Sequence, residues 1–186
     1  MTKIDGIDYG PLVHLVGEWR GDTGMDISPE PEGTEHSPYF EHIQFEAIGD
    51  VTNAESQTLS AIRYHQVVSR HSDKQVFHNE TGYWLWDPSS QSVMQTLTIP
   101  RGVSLVAGGT TTRKDSGDIV INVEAADGDA NWGIAQSPFM RDRAKTLTFQ
   151  RTLEFNETQL AYSQTMLLEI YGKRFEHTDQ NTLVRV

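Results

Sequence analysis

Alternation of apolar and polar residues at every second position is the feature that most constrains this chain. The segment KTLTFQRTLEF, residues 145–155, places five side chains on one face of a strand, namely Leu147, Phe149, Arg151, Leu153 and Phe155. The segment QLAYSQTMLLEIYG, residues 159–172, repeats the pattern after a short polar connection that leaves no room for a crossover helix. The two segments therefore predict an antiparallel hairpin, and a closing strand follows Gly172.

Similar alternation predicts strands through most of the chain, with Gly, Asp and Pro in the connections. The predicted strands cover residues 39–48, 58–69, 76–86, 92–98, 103–112 and 119–125. A short N-terminal helix is predicted in YGPLVHLVGEW, from Pro11 to Gly17, and residues 28–37 are predicted to form an exposed acidic loop. This pattern favours an all-β fold, a closed antiparallel barrel of about ten strands. A β-sandwich is the alternative, although a barrel leaves no edge strand to protect.

Composition limits the classes of partner. The chain has 186 residues, which predicts one domain over residues 1–186, and 26 acidic against 15 basic residues give a formal net charge of −11. This charge disfavours nucleic acid and anionic membranes as partners. There are no cysteines, which excludes disulfides, thiolate zinc sites and a cysteine nucleophile. The N-terminus lacks the pattern of a signal peptide and no segment approaches ~20 apolar residues, so a soluble cytoplasmic protein is expected.

Two segments carry candidate site residues. In HNETGYW, His78 and Glu80 share a strand face, so they could act as a proton-transfer pair or form a polar barrel wall. In GEWRGDTG, Trp19 could close one end of a barrel, whereas Gly21 and Gly24 permit close backbone approach or open space beside a flat ligand. None of the seven histidines has the H-E-x-x-H spacing of a zinc enzyme. A haem iron needs only one protein ligand, so a lone histidine is compatible with haem.

Three segments together resemble the nitrobindin family, a group of haem-binding β-barrels similar in outline to lipocalins and fatty-acid-binding proteins. They are LVGEWRGDTG, YFEHIQFEAIG and HNETGYW, and the resemblance extends from about residue 12 to residue 186. It implies a pocket at one end of the barrel that holds haem b, ligated by one histidine on the final strand. His78 stands at the position of the family's second pocket histidine, and Met166 and the glycine-bordered first strand would contact the haem. Family members bind nitric oxide, and their ferric form converts peroxynitrite to nitrate.

The final strand departs from the family pattern. Alignment of YGKRFEHTDQNTL on Gly172 and Leu183 places Thr178 at the ligand position, with His177 one residue early. One residue reverses the face of a strand, so a bulge at residues 173–174 would be needed to turn His177 to the family's direction. Alternatively, the face shared by Phe175, His177, Asp179 and Asn181 could serve a different ligand. His177 is nevertheless the best candidate in the chain for the haem iron ligand.

Two other functions stay open. The first is a haem-free carrier of a small hydrophobic molecule, in which Arg151 could anchor a carboxylate, or could instead pair with an acid or pack over Trp19. The second is an enzyme for a small polar substrate with His78–Glu80 or His177–Asp179 as acid–base pair. The sequence supplies no nucleophile or cofactor motif for such an enzyme, so catalysis is expected only as peroxynitrite isomerisation by bound haem. A homodimer is compatible with all of these functions.

Overall fold

Thirteen strands and two short helices account for most of the residues that the structure describes. The computed structural model describes residues 2–186. A 3-10 helix covers Gly10–Leu15, and a short α-helix, α1, covers Pro138–Arg143. The strands are β1 Lys3–Ile4, β2 Ile7–Asp8, β3 Gly17–Glu30, β4 Gly33–Ala54, β5 Gln57–Arg70, β6 Val76–Asp87, β7 Ser92–Ile99, β8 Val103–Arg113, β9 Ile119–Ala126, β10 Ile134–Gln136, β11 Ala144–Phe155, β12 Gln159–Ile170 and β13 Lys173–Arg185.

Ten of these strands close into an antiparallel barrel. The hydrogen-bonded order is β8, β7, β6, β5, β4, β3, β13, β12, β11 and β9, and β9 pairs back with β8 from Gly108↔Glu124 to Arg113↔Ile119. The short β10 adds to the other edge of β8, while β1 and β2 form a separate hairpin. This arrangement confirms the predicted closed barrel with a short N-terminal helix. Neither helix within residues 2–186 has the length and apolar character needed to cross a bilayer.

The predicted exposed loop at residues 28–37 is wrong, because these residues form the paired ends of β3 and β4. Register runs through Ser28↔Glu35 and Pro29↔Thr34 to Glu30↔Gly33. The prolines are tolerated because their missing N–H groups lie beyond the adjoining ladders: β13 pairs with β3 only up to Ile27, and β5 pairs with β4 only from Tyr39. The hairpin therefore projects past the end of the barrel.

The N-terminal helix closes one end of the barrel through Trp19. The Trp19 side chain is fully buried, and its Nε1 donates to the carbonyl oxygen of Leu15 at 2.7 Å. The guanidinium of Arg185 lies 4.3 Å from the Trp19 ring centroid and also donates to the carbonyl oxygens of Val16 and His14. The first and last segments of the chain are thereby fastened together over one barrel end, as predicted for Trp19. It is Arg185, and not Arg151, that packs over Trp19.

A bulge changes the predicted inner face of β11. The pairs Thr146↔Leu168 and Thr148↔Leu167 leave Leu147 as the extra residue. Phe149, Arg151, Leu153 and Phe155 are buried as the alternation predicts, but Thr146 is buried in place of Leu147.

Candidate functional site

The half of the barrel remote from the 3-10 helix contains a cavity of about 250 Å³, here called the barrel cavity. Met140 of α1 contributes to its lining. One part of the wall is apolar and consists of Val68, Phe77, Ile99, Val103, Met166 and Leu168. A second, polar part, here called the polar floor, consists of Asp26, His78, Arg151, Gln164, His177 and Asp179. The rest of the lining consists of Ser28, Tyr39, Gln66, Thr146 and Tyr162. A cavity with an apolar wall and a few convergent polar groups is typical of a small-molecule site.

The direction of β13 decides which residues reach the polar floor. β12 and β13 pair one residue for one, from Gln159↔Val184 to Ile170↔Lys173, so there is no bulge at residues 173–174. Regular alternation places His177 and Asp179 on the cavity wall and buries Asn181 and Leu183 farther along. Thr178 lies on the other face of β13 and does not line the barrel cavity.

A bulge in β3 brings Asp26 to the same place. Between Gly21 and Gly24, β3 has one residue more than both β4 and β13. This extra residue reverses the alternation, so that Trp19 and Asp26 both point inward although seven positions separate them. Asp26 lies directly opposite Asp179 in the β3–β13 register.

Asp26, His177 and Asp179 form a compact group, here called the His177 cluster. Nε2 of His177 lies 2.6 Å from Oδ1 of Asp26 and 3.7 Å from Oδ2 of Asp179. Gln164 Nε2 donates to Oδ2 of Asp179 at 3.2 Å. The three potential ligand atoms of the His177 cluster lie within 4.8 Å of one another, and this donor set suits a divalent cation of the imidazole–carboxylate class.

Charges within the His177 cluster oppose the effect of burial. Burial by itself lowers the pKa of His177, but the hydrogen bond to Asp26 and the charges of both aspartates outweigh it, so the pKa is raised. Burial tends to raise the pKa of Asp26, yet its contacts with His177 hold that pKa below the ordinary value. Burial and the neighbouring charge of Asp26 raise the pKa of Asp179 to about 6. The arrangement favours a protonated His177 beside an ionised Asp26.

Arg151 lies at the centre of a second group, here called the Arg151 network, which includes His78, Glu80 and Gln164. Its Nη1 donates to Oε1 of Glu80 at 2.8 Å, its Nη2 to Oε2 of Glu80 at 3.2 Å, and its Nε to Oε1 of Gln164 at 2.9 Å. Nε2 of His78 lies 3.3 Å from Oε2 of Glu80. Burial raises the pKa of Glu80, but the charges and hydrogen bonds of Arg151 and His78 together outweigh burial and hold that pKa far below the ordinary value. Arg151 pairs with an acid, so its charge is already balanced.

The glycines of β3 make room for protein side chains. A Cβ on Gly24 would lie 2.1 Å from Cε2 of Tyr39, and a Cβ on Gly21 would lie 2.7 Å from the carbonyl oxygen of Thr182. Neither glycine lines the barrel cavity, whereas Met166 does. Of the predicted site residues, the structure therefore brings together His78, Arg151, Met166 and His177. It leaves Gly21, Gly24 and Thr178 outside the cavity wall.

Comparison with known proteins agrees with the barrel fold. A family model described as "THAP4-like, heme-binding beta-barrel domain" matches residues 8–185. The crystal structure of Rv2717c from M. tuberculosis superposes with a TM-score of 0.72 at 21% sequence identity, over 96% of this chain and 99% of that chain. No curated protein sequence matches the chain.

Proposed function

The chain belongs to the THAP4-like haem-binding β-barrel family, and on that premise we propose that it binds haem b in the barrel cavity, where His177 would be the ligand of the iron. The observation that carries this proposal is the position of His177, the last strand's histidine, on the cavity wall. Thr178, at the family's ligand position, lies on the opposite face and offers only a neutral hydroxyl.

The residues of the barrel cavity fit a haem. A haem iron needs one imidazole, and apolar contacts suit the faces of a porphyrin. Met166 and Leu168, on the strand next to His177, and Val68 and Phe77 across the cavity supply such contacts. Nε2 of His177 contacts Asp26, so this hydrogen bond must be released before the nitrogen can serve as a ligand.

A haem held by a single neutral imidazole would supply an iron able to bind nitric oxide or peroxynitrite. The residues of the chain would hold the haem, exclude water along the apolar wall and place polar groups near the iron. Burial lowers the pKa of His78, but its hydrogen bond to Glu80 and the charge of Glu80 raise it above the ordinary value. His78 is therefore suited to hold a proton beside a bound diatomic molecule.

Two observations support haem over the other candidate functions. The guanidinium of Arg151 already donates to Glu80 and Gln164, which weakens its case as the anchor of a fatty carboxylate. The low pKa of Glu80 makes that carboxylate a weak base, which weakens the case for His78–Glu80 as the acid–base pair of an enzyme.

A haemin titration followed by visible absorption tests the proposal. The wild type and Thr178→Ala should give a sharp, saturable Soret band, and His177→Ala should lose it. His65→Ala is the matched control, because His65 is an exposed histidine of the barrel and should leave the band unchanged. Loss of activity toward nitric oxide or peroxynitrite should accompany loss of the band.

Two results would contradict the proposal in different ways. A band that survives in His177→Ala moves the ligand to another histidine, with His78 next in line. A wild type without any specific band removes haem as the ligand and leaves a barrel that binds another small molecule.

A further inference from the structure

We propose that Asp26 is a positioning residue that competes with the haem iron for Nε2 of His177, so that this carboxylate sets the affinity of the barrel cavity for haem. The inference rests on the proposed function, since it concerns the same imidazole. Asp26 lies on β3 and His177 on β13, so the contact is made across two adjacent strands of the barrel.

The competition follows from the atom that Asp26 contacts. An ionised carboxylate only accepts hydrogen bonds, so Nε2 of His177 donates its hydrogen to Oδ1 of Asp26 at 2.6 Å. A ring nitrogen that carries a hydrogen has no lone pair for a metal. Oδ2 of Asp179 lies 3.7 Å from the same nitrogen, so both carboxylates converge on it. Haem binding through Nε2 therefore requires His177 to leave Asp26.

Asp26 is held in place more firmly than an exposed acid. The Asp26 side chain is buried, and its carboxylate faces His177, Asp179 and the neighbouring Ser28. Asp179 accepts a hydrogen bond from Gln164, and its Oδ2 lies 3.7 Å from Nε2 of His177, whereas Oδ1 of Asp26 lies at 2.6 Å from the same nitrogen. Asp26 is thus the stronger of the two competitors for the nitrogen.

A carboxylate beside a haem histidine can also have the opposite effect and raise the affinity for haem. A carboxylate that accepts from the ring nitrogen not bound to the metal orients the imidazole and makes it a stronger ligand. In that case removal of the carboxylate would weaken haem binding. The two roles of Asp26 are therefore distinguished by the direction of a single change in affinity.

The test compares haemin affinity in Asp26→Asn and the wild type. A hydrogen bond between charged groups corresponds to roughly tenfold or more in a binding constant, so Asp26→Asn should lower the haemin Kd by about tenfold. Asp179→Asn should have a smaller effect. Glu30→Gln is the control, because Glu30 is an exposed acid on the same strand, outside the bulge between Gly21 and Gly24, and should leave the Kd unchanged.

The same substitution in a protein that lacks His177 distinguishes an effect of Asp26 on His177 from a general effect on the structure. If Asp26 acts through His177, Asp26→Asn should lower the haemin Kd when His177 is present and should not restore a Soret band in the His177→Ala background. The Soret band of Asp26→Asn should also keep the position of the wild-type band, because the ligand is the same. If Asp26→Asn does not fold, as judged by circular dichroism, Asp26→Ser provides the same comparison with a smaller side chain.

The outcomes separate this inference from the proposed function. Unchanged affinity in Asp26→Asn overturns the competition, and weaker affinity assigns Asp26 the supporting role instead. If neither the wild type nor Asp26→Asn gives a saturable Soret band, haem binding itself is refuted. A band in the wild type with no change in the variant leaves haem binding intact and refutes only the role of Asp26.

Discussion

Replacement of Arg151 by methionine is expected to leave the buried Glu80 carboxylate without its guanidinium partner, with only His78 and the hydroxyl of Tyr64 in contact with it. Methionine approximates the length of the arginine stem but donates no hydrogen bond. The wild-type side chains are 6% and 2% exposed for Arg151 and Glu80, so water cannot replace the lost partner at low cost. The variant therefore tests how much the contact between Arg151 and Glu80 contributes to the stability of the fold.

The expected loss follows from the geometry of the pair. Two parallel contacts join the guanidinium and the carboxylate at 2.8 and 3.2 Å, and removal of one partner from such a buried pair costs about 3–5 kcal/mol. For a chain of this size 1 kcal/mol corresponds to roughly 2–4 °C in Tm. Arg151→Met should accordingly lower Tm by roughly 6–20 °C.

Urea unfolding at pH 7, followed by the fluorescence of the buried Trp19 and Trp84, measures the loss in the free energy of unfolding, and thermal unfolding measures the fall in Tm. Arg63→Met is the matched control, because the Arg63–Glu46 pair also bridges two adjacent strands but its side chains are 57% and 40% exposed. Exposed pairs contribute about 0–1 kcal/mol, so the control should lose little stability. The double variant with Glu80→Gln should recover much of the loss, since no buried charge is then left unpaired.

The pH dependence gives an independent check with a defined sign. The pKa of Glu80 is lower in the folded state than its ordinary value of 4.5. Its contribution to stability is therefore present above pH 4.5 and is lost as the pH falls through the lower, folded pKa. Without Arg151, burial should raise the pKa of Glu80 in the variant above 4.5, so the difference in stability between wild type and Arg151→Met should shrink as the pH falls from neutral toward 4.5 and should shrink further below it. A loss no larger than that of Arg63→Met, or a double variant as unstable as the single one, would refute the reasoning.

Two further predictions concern Glu41 and Gly82. Burial raises the pKa of Glu41 from 4.5 to about 7, so wild-type stability should fall by up to about 3 kcal/mol as the pH rises between those values. Urea unfolding over a pH series should show a flatter dependence of stability on pH for Glu41→Gln. An equally steep dependence in Glu41→Gln would contradict Glu41 as the cause. A Cβ on Gly82 would lie 1.9 Å from the carbonyl oxygen of Thr96, so Gly82→Ala should cost about 1–3 kcal/mol in thermal unfolding. Gly33→Ala, whose Cβ meets nothing within 4 Å, is the control, and equal Tm values for both variants would contradict a steric origin.

The barrel could be predicted because alternation is a property of each strand by itself. Residues 149–155 have the burial that their sequence indicates, and the ten-strand closure follows from many such segments without long helices. The two local errors have local causes. Pairing between β3 and β4 continues past the prolines that suggested a loop, and the bulge at Leu147 shifts the alternation by one residue. Neither the extended β3–β4 pairing nor the bulge at Leu147 can be recognised from the residue types of its segment.

The candidate site was predictable only in part, because it depends on register between strands. His177 and Asp179 share a face in the sequence, and the structure places that face on the barrel cavity. Asp26 could not be found in the same way, since counting by twos from the buried Trp19 places it on the outer face. The bulge between Gly21 and Gly24 brings it inward. The glycines flanking Asp22-Thr23 were the one available signal, because a bulge often accompanies glycine in a strand.

The bulge in β3 also decides the electrostatics of the polar floor. Without the extra residue, His177 would face Asp179 alone, and the floor would carry one carboxylate fewer. With it, the carboxylates of Asp26 and Asp179 belong to the floor, the carboxylate of Glu80 lies outside the cavity lining against Arg151 and His78, and every cation of the floor lies against a carboxylate. An anionic group that enters the floor must displace one of these carboxylates from its partner, whereas a neutral or cationic group need not. The floor therefore favours the uncharged or metal-bearing part of a ligand, and the carboxylates of a haem are better accommodated away from it.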